Sequence, residues 1–112
     1  MEGCDLRRTP EQRINDILER IARIQGFVKN LTFEDFLTDA MTFDAVSYDL
    51  EVIGEAASHV PQRMRTRYPE IDWPIVVRLK DVFRPLNPAG DHEAAWNVIK
   101  TELPELKRKL ED

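Results

Sequence analysis

Residues 78–92 of this 112-residue chain read RLKDVFRPLNPAGDH. Three cations (Arg78, Lys80 and Arg84), the carboxylate of Asp81 and one of the two histidines, His92, are crowded around prolines and a glycine. Cationic side chains of this kind can hold a phosphate, and an imidazole can move a proton near neutral pH. Loops carried on rigid scaffolds host most chemistry. A helix-breaking stretch dense in titratable groups, flanked by segments that read as amphipathic helices, is therefore the first place to look for a site.

Charge sharpens and limits that expectation. The chain carries a formal net charge of −5, which argues against tight, nonspecific binding of nucleic acid over the whole surface. From Arg63 to Arg84, however, six cations (Arg63, Arg65, Arg67, Arg78, Lys80, Arg84) stand against three acids (Glu70, Asp72, Asp81). That window reads either as a solvated charged face or as a local phosphate-facing patch. Elsewhere, Glu51 and Glu55 lie one helical turn apart and resemble a carboxylate pair, but no histidine at metal-ligand spacing accompanies them. His59 reads as a helix-end histidine, and Trp73 and Trp96 as core anchors.

One cysteine, Cys4, and two histidines on different segments do not make a structural zinc site, and no cofactor is expected. A lone cysteine forms no internal disulfide and fits a reducing cytosol. No apolar run approaches the ~20 residues of a membrane span, and no signal-peptide core is present. With 42% apolar and 33% charged residues, the composition is that of one globular, helix-rich domain spanning 1–112.

The helices that would position the candidate residues can be read from their caps and seams. Thr9, Pro10 and Gln12 form a capping-box start, and Ile14, Ile17, Ile21, Ile24 and Val28 make an apolar stripe over roughly 10–28. Thr32 can cap a short FEDFL turn whose Phe33 and Phe36 cover one end of the bundle. A second helix over 39–60 carries Val46, Leu50, Ile53, Ala57 and Val60 on one seam. Ala45, Val52 and Ala56 form a second stripe with Tyr48 and Asp49 beside it, which points to a second subunit on that side.

A linker from Gln62 to Ile71 precedes a third helix over 73–84, capped by Asp72 and ended by Pro85, Pro88 and Gly90. The last helix, 91–111, is capped by Asp91 with His92 at its first position, carries Trp96, Ile99, Leu103, Leu106 and Leu110, and should kink or restart at Pro104. Four main helices, with the short turn as a fifth, predict an all-α antiparallel bundle.

Several phrases add a resemblance. AVSYDLEVIGEAASHVP (45–61), YPEIDW (68–73), WNVIKTELPELKRKLE (96–111) and TFEDFLTDAMTFDAV (32–46) closely resemble the HepT-like branch of the HEPN superfamily, over roughly residues 10–111. The resemblance implies a cytoplasmic, all-α homodimer encoded beside a minimal nucleotidyltransferase in a prokaryotic toxin–antitoxin module. It also implies a metal-independent endoribonuclease activity, with RNA as the substrate and no membrane partner. The family motif is Arg-Asn-x-x-x-His-x-Tyr, two copies of which meet across a dimer cleft. The partner can silence the toxin by adenylylating the Tyr.

RNA supplies its own nucleophile, the 2′-hydroxyl, so such a site needs a proton-transfer group and a stabiliser of phosphate charge. In register with the family, Lys80 falls on the motif Arg, Asp81 on the Asn, Pro85 on the His and Asn87 on the Tyr. Lysine lacks the bidentate fork, proline cannot move a proton, and asparagine has no phenolic oxygen. Asp49 and Glu55 match polar family positions that line the cleft, while Tyr48 stands where an Arg is common.

Three readings follow. The first is a HepT-like protein with impaired or lost ribonuclease activity, serving a nucleotidyltransferase partner. The second is an active ribonuclease with a relocated catalytic set drawn from Lys80, Arg84 and His92, with Asp49, Glu55 and Asp81 in the cleft. The third is a nucleotide-binding module using the cationic window.

Overall fold

A computed structural model of the chain describes residues 8–81 and 88–111. Every regular element among them is helical: α1 (Pro10–Phe27), α2 (Phe33–Thr38), α3 (Ala40–Ser58), α4 (Gln62–Arg65), α5 (Trp73–Val77), a 3-10 turn (Arg78–Asp81), α6 (Pro88–Asn97), a π turn (Val98–Glu102) and α7 (Leu103–Glu111).

The starts of these helices follow their caps. Gln12 N donates to Thr9 Oγ1 and Thr9 N donates to Gln12 Oε1, closing the capping box at α1. Thr32 and Asp35 repeat the arrangement at α2. Asp39 caps α3, accepting from Thr42 N at 3.0 Å and from Thr42 Oγ1 at 2.7 Å. These bonds satisfy donors that the first turn of a helix leaves unpaired.

The apolar seams then meet. Ile17, Ile21 and Ile24 of α1 and Val46, Leu50 and Ile53 of α3 are fully buried against each other and against Leu103 and Leu106 of α7. One end of the bundle is closed by aromatic rings, with Phe36 at 5.2 Å from Trp96 and 5.7 Å from Phe43. At the other end, Arg65 donates to the carbonyls of Val60 and Ala57 and so satisfies the C-terminus of α3.

Four expectations need correction. The Gln62–Ile71 linker contains the short helix α4, which buries Met64. The third helix is α-helical only to Val77 and tightens into the 3-10 turn, while 82–84 lie outside the described residues. The last helix begins at Pro88, not Asp91, so Asp91 is inside it and His92 is its fifth residue. Proline is preorganised for a first turn and has no donor to lose there. Finally, Ala56 lies in the core instead of on an outer stripe.

Pro104 has the effect its chemistry requires. Its ring would clash with the carbonyl four residues back, and its nitrogen offers no proton. The wider π turn at Val98–Glu102 accommodates it before α7 resumes, keeping Leu103, Leu106 and Leu110 on the core side.

Candidate functional site

Gly54 explains how the 3-10 turn reaches α3. A Cβ built there would lie 2.6 Å from Lys80 N, 2.7 Å from the Val77 carbonyl oxygen and 2.8 Å from Lys80 Cβ. Only a residue without a side chain lets the two backbones approach so closely. That approach sets Lys80 beside Glu55, the next residue of α3, with Lys80 Nζ 3.7 Å from Glu55 Oε1.

The other oxygen of the same carboxylate, Glu55 Oε2, lies 3.1 Å from His59 Nε2. A carboxylate only accepts, so the imidazole carries its proton on Nε2 in this contact. Lys80, Glu55 and His59 thus form one chain of contacts on the outer face of α3.

Beside it is a recess of about 390 Å³ lined by Tyr48, Glu51, Val52, Glu55, Lys80 and Asp81. Among these residues Lys80 is the one cation against three carboxylates. Tyr48 is 57% exposed, and the Arg20 guanidinium lies 5.5 Å from its ring centroid.

The candidate residues from the sequence are dispersed. Glu55, Lys80 and Asp81 meet in this recess. Asp49 does not: it is fully buried on the α1 side of α3, where Arg20 Nη1 donates to it at 2.8 Å and Arg23 Nε at 3.1 Å. A buried carboxylate must be paired, and these two guanidiniums pair it. The expectation that Asp49 lines the cleft is corrected accordingly.

His92 stacks on Phe43, with ring centroids 4.0 Å apart and planes 17° from parallel, and meets Phe36 edge-on at 5.9 Å. Phe43 and Glu55 are twelve residues apart on α3, about 18 Å along the helix at 1.5 Å per residue. Within one chain, His92 therefore does not share a site with Lys80. Arg84, Pro85 and Asn87 lie outside the described residues.

Two cations of the window are already engaged. Arg65 is committed to backbone carbonyls and to the face of Trp73 at 5.5 Å, and Lys80 to Glu55. A larger recess, about 570 Å³, lies between Gln62 and Pro74. Its lining includes Arg65 and Asp72 but no histidine. Among the described residues, no group of three or more His, Cys, Asp or Glu is placed to hold a metal ion, and no helix is long and apolar enough to cross a membrane.

Two features escaped the sequence. Arg20 and Arg23, one turn apart on α1, signal their role only once Asp49 is known to face them. Gly54, inside an otherwise regular helix, was the visible sign of a close backbone approach.

Comparison with known proteins now adds to the geometry. The family model described as "Ribonuclease HepT-like" matches residues 17–112. The chain belongs to the HepT-like ribonuclease family. Its HepT-like relatives include a "Probable ribonuclease HepT" of Thermococcus cleftensis, 35% identical over 106 residues that cover 95% of this chain and 96% of the relative. A "Putative RNase" of Methanocaldococcus jannaschii is 34% identical over 86% of this chain and 79% of its own length. A "Gamma-glutamylcyclotransferase and putative RNase" of the same organism is 31% identical over 94% of this chain, which spans only 47% of that longer protein. No solved structure matches. The all-helical bundle described above agrees with a HepT-like, HEPN-type fold.

Proposed function

We propose that this chain is the HepT-like component of a toxin–antitoxin module: a cytoplasmic homodimer that partners a minimal nucleotidyltransferase and whose ribonuclease activity is impaired. The observation that carries the impairment is the charge of the Lys80 recess. RNA cleavage by the 2′-hydroxyl needs a cation at the phosphate and a group to take the proton. Here the cation at the motif-Arg position is held by Glu55, and Glu51 and Asp81 line the same recess. A phosphodiester entering it meets three carboxylates and one ammonium. The site therefore repels its own substrate class more than it attracts it.

The proton-transfer side is weakened as well. The position that resembles the motif His is Pro85, and His92, the imidazole nearest to it in sequence, stacks on Phe43, about 18 Å along α3 from Glu55. Asn87, at the position of the modifiable Tyr, has no phenolic oxygen, so a nucleotidyltransferase partner would not silence this chain by modifying that position.

Dimerisation is supported by the outer face of α3. Met41 is 84% and Tyr48 57% exposed, and both share that face with the half-buried Ala45 and Val52. A stripe of this kind is covered by a partner more often than left to water.

The test is the purified chain, with the product of any nucleotidyltransferase gene beside its own. Light scattering should give twice the 13.1 kDa chain mass, and the two proteins should co-elute. Single-stranded RNA should be cut far more slowly than the ~1 s⁻¹ or faster of an ordinary enzyme. A monomer that ignores the nucleotidyltransferase, or a chain that cuts RNA at such ordinary rates, would overturn the reading.

A further inference from the structure

We infer that His59, held on Glu55, is the proton-transfer residue for the slow RNA cleavage that this chain retains. The inference rests on the reading above, that RNA is the substrate class and that cleavage is impaired, not absent.

Cleavage requires an imidazole or its equivalent near the phosphate-binding cation. Of the two histidines, His92 is committed to the aromatic end of the bundle. His59 instead shares one carboxylate with Lys80: Nε2 lies 3.1 Å from Glu55 Oε2, and Lys80 Nζ lies 3.7 Å from Glu55 Oε1. In the single chain the side chains of His59 and Lys80 are each 35% exposed.

The contact with Glu55 also sets the tautomer. In the neutral ring, with the proton on Nε2, the lone pair is on Nδ1, which makes no hydrogen bond among the described residues. An imidazole oriented by a carboxylate on one nitrogen, with the other open, is the arrangement of a general base. The charged and titratable groups of the neighbouring recess are Glu51 and Glu55 of α3, Lys80 and Asp81 of the 3-10 turn, and Tyr48.

The step balances without a co-reactant. Nδ1 takes the 2′-hydroxyl proton as the 2′-oxygen bonds to phosphorus. The bond from phosphorus to the 5′-oxygen breaks, leaving a 2′,3′-cyclic phosphate. The imidazolium returns its proton to the departing 5′-oxygen. Lys80 faces the charge that develops on the phosphoryl oxygens, and Glu55 is a positioning residue that holds both groups.

The experiment uses the full chain and a labelled RNA oligonucleotide, with the cyclic-phosphate product quantified and binding followed by fluorescence anisotropy. H59Q is the decisive variant. Its amide can still donate to Glu55 Oε2, so a structural role survives, but it cannot take a proton at neutral pH. H59Q should bind RNA as the wild type does, keep its melting temperature and lose roughly 10²-fold in cleavage. H59A should fall equally and recover in part with added imidazole.

Wild-type cleavage retained in H59Q would overturn the inference. So would a wild type that binds RNA yet yields no cyclic phosphate, a result that leaves the impaired HepT-like reading standing. Failure to bind both RNA and a nucleotidyltransferase would remove the reading itself.

Discussion

Replacing Gly54 with alanine should loosen the junction on which the candidate site is built. The added Cβ would stand 2.6–2.8 Å from three atoms of Val77 and Lys80, two of them backbone. Ordinary contact for a Cβ begins near 3.4 Å, so the 3-10 turn must retreat by close to an ångström. Overpacking of this kind costs about 1–3 kcal/mol. The better helix propensity of alanine returns about 1 kcal/mol, for a net loss of up to about 2 kcal/mol.

At about 4 °C per kcal/mol for a domain of this size, the melting temperature of Gly54→Ala should fall by up to about 8 °C. The same retreat carries Lys80 away from Glu55. Gly26→Ala is the internal control, because nothing lies within 4 Å of its added Cβ and its φ is not positive. That change should leave the melting temperature unchanged or raise it by a few degrees. Thermal unfolding followed by circular dichroism reads both variants. A Gly54→Ala protein at least as stable as Gly26→Ala would refute the argument that the 3-10 turn packs on α3 through that glycine.

Other consequences follow from the same contacts. Removing Arg20 and Arg23 together leaves the fully buried Asp49 unpaired and should cost about 3–5 kcal/mol in urea denaturation. Asp49→Asn should cost less, because the two guanidiniums released are partly exposed and regain water. Asp39 is held below the ordinary aspartate value, chiefly by the hydroxyl of Thr42 and then by its amide. Its contribution to stability is present above the unfolded-state pKa and is lost as pH falls through the lower native one. The stability difference between wild type and Asp39→Asn should therefore shrink as pH falls from about 5 towards 2, read from urea midpoints at each pH.

How much of this could be read from the sequence varies with the physics of each element. Seams that repeat over several turns were plain: Ile17, Ile21 and Ile24, or Val46, Leu50 and Ile53, are buried as their spacing predicts. Local caps were equally plain, because Thr9 and Thr32 reach only three residues along the chain. What failed depended on distant contacts. The tightening at Arg78–Asp81 needs Gly54, and the burial of Asp49 needs Arg20 and Arg23, so neither is visible in a local window. Ala56 was assigned outward because alanine fits either face, and only the packed helix settles it. Glu55 was read as half of a pair with Glu51, and His59 as a helix-end histidine; that one carboxylate joins His59 to Lys80 required the fold.

The central proposal, that the acidic lining of the Lys80 recess impairs RNA cleavage by this HepT-like protein, is tested most directly by neutralising that lining. The measurement is the RNA cleavage rate of E51Q/D81N against wild type, at one low salt concentration where such charges are least screened. The account predicts tighter RNA binding and a cleavage rate raised about tenfold, the effect of two exposed charges at about 0.7 kcal/mol each. An unchanged or slower rate in a folded variant would contradict it.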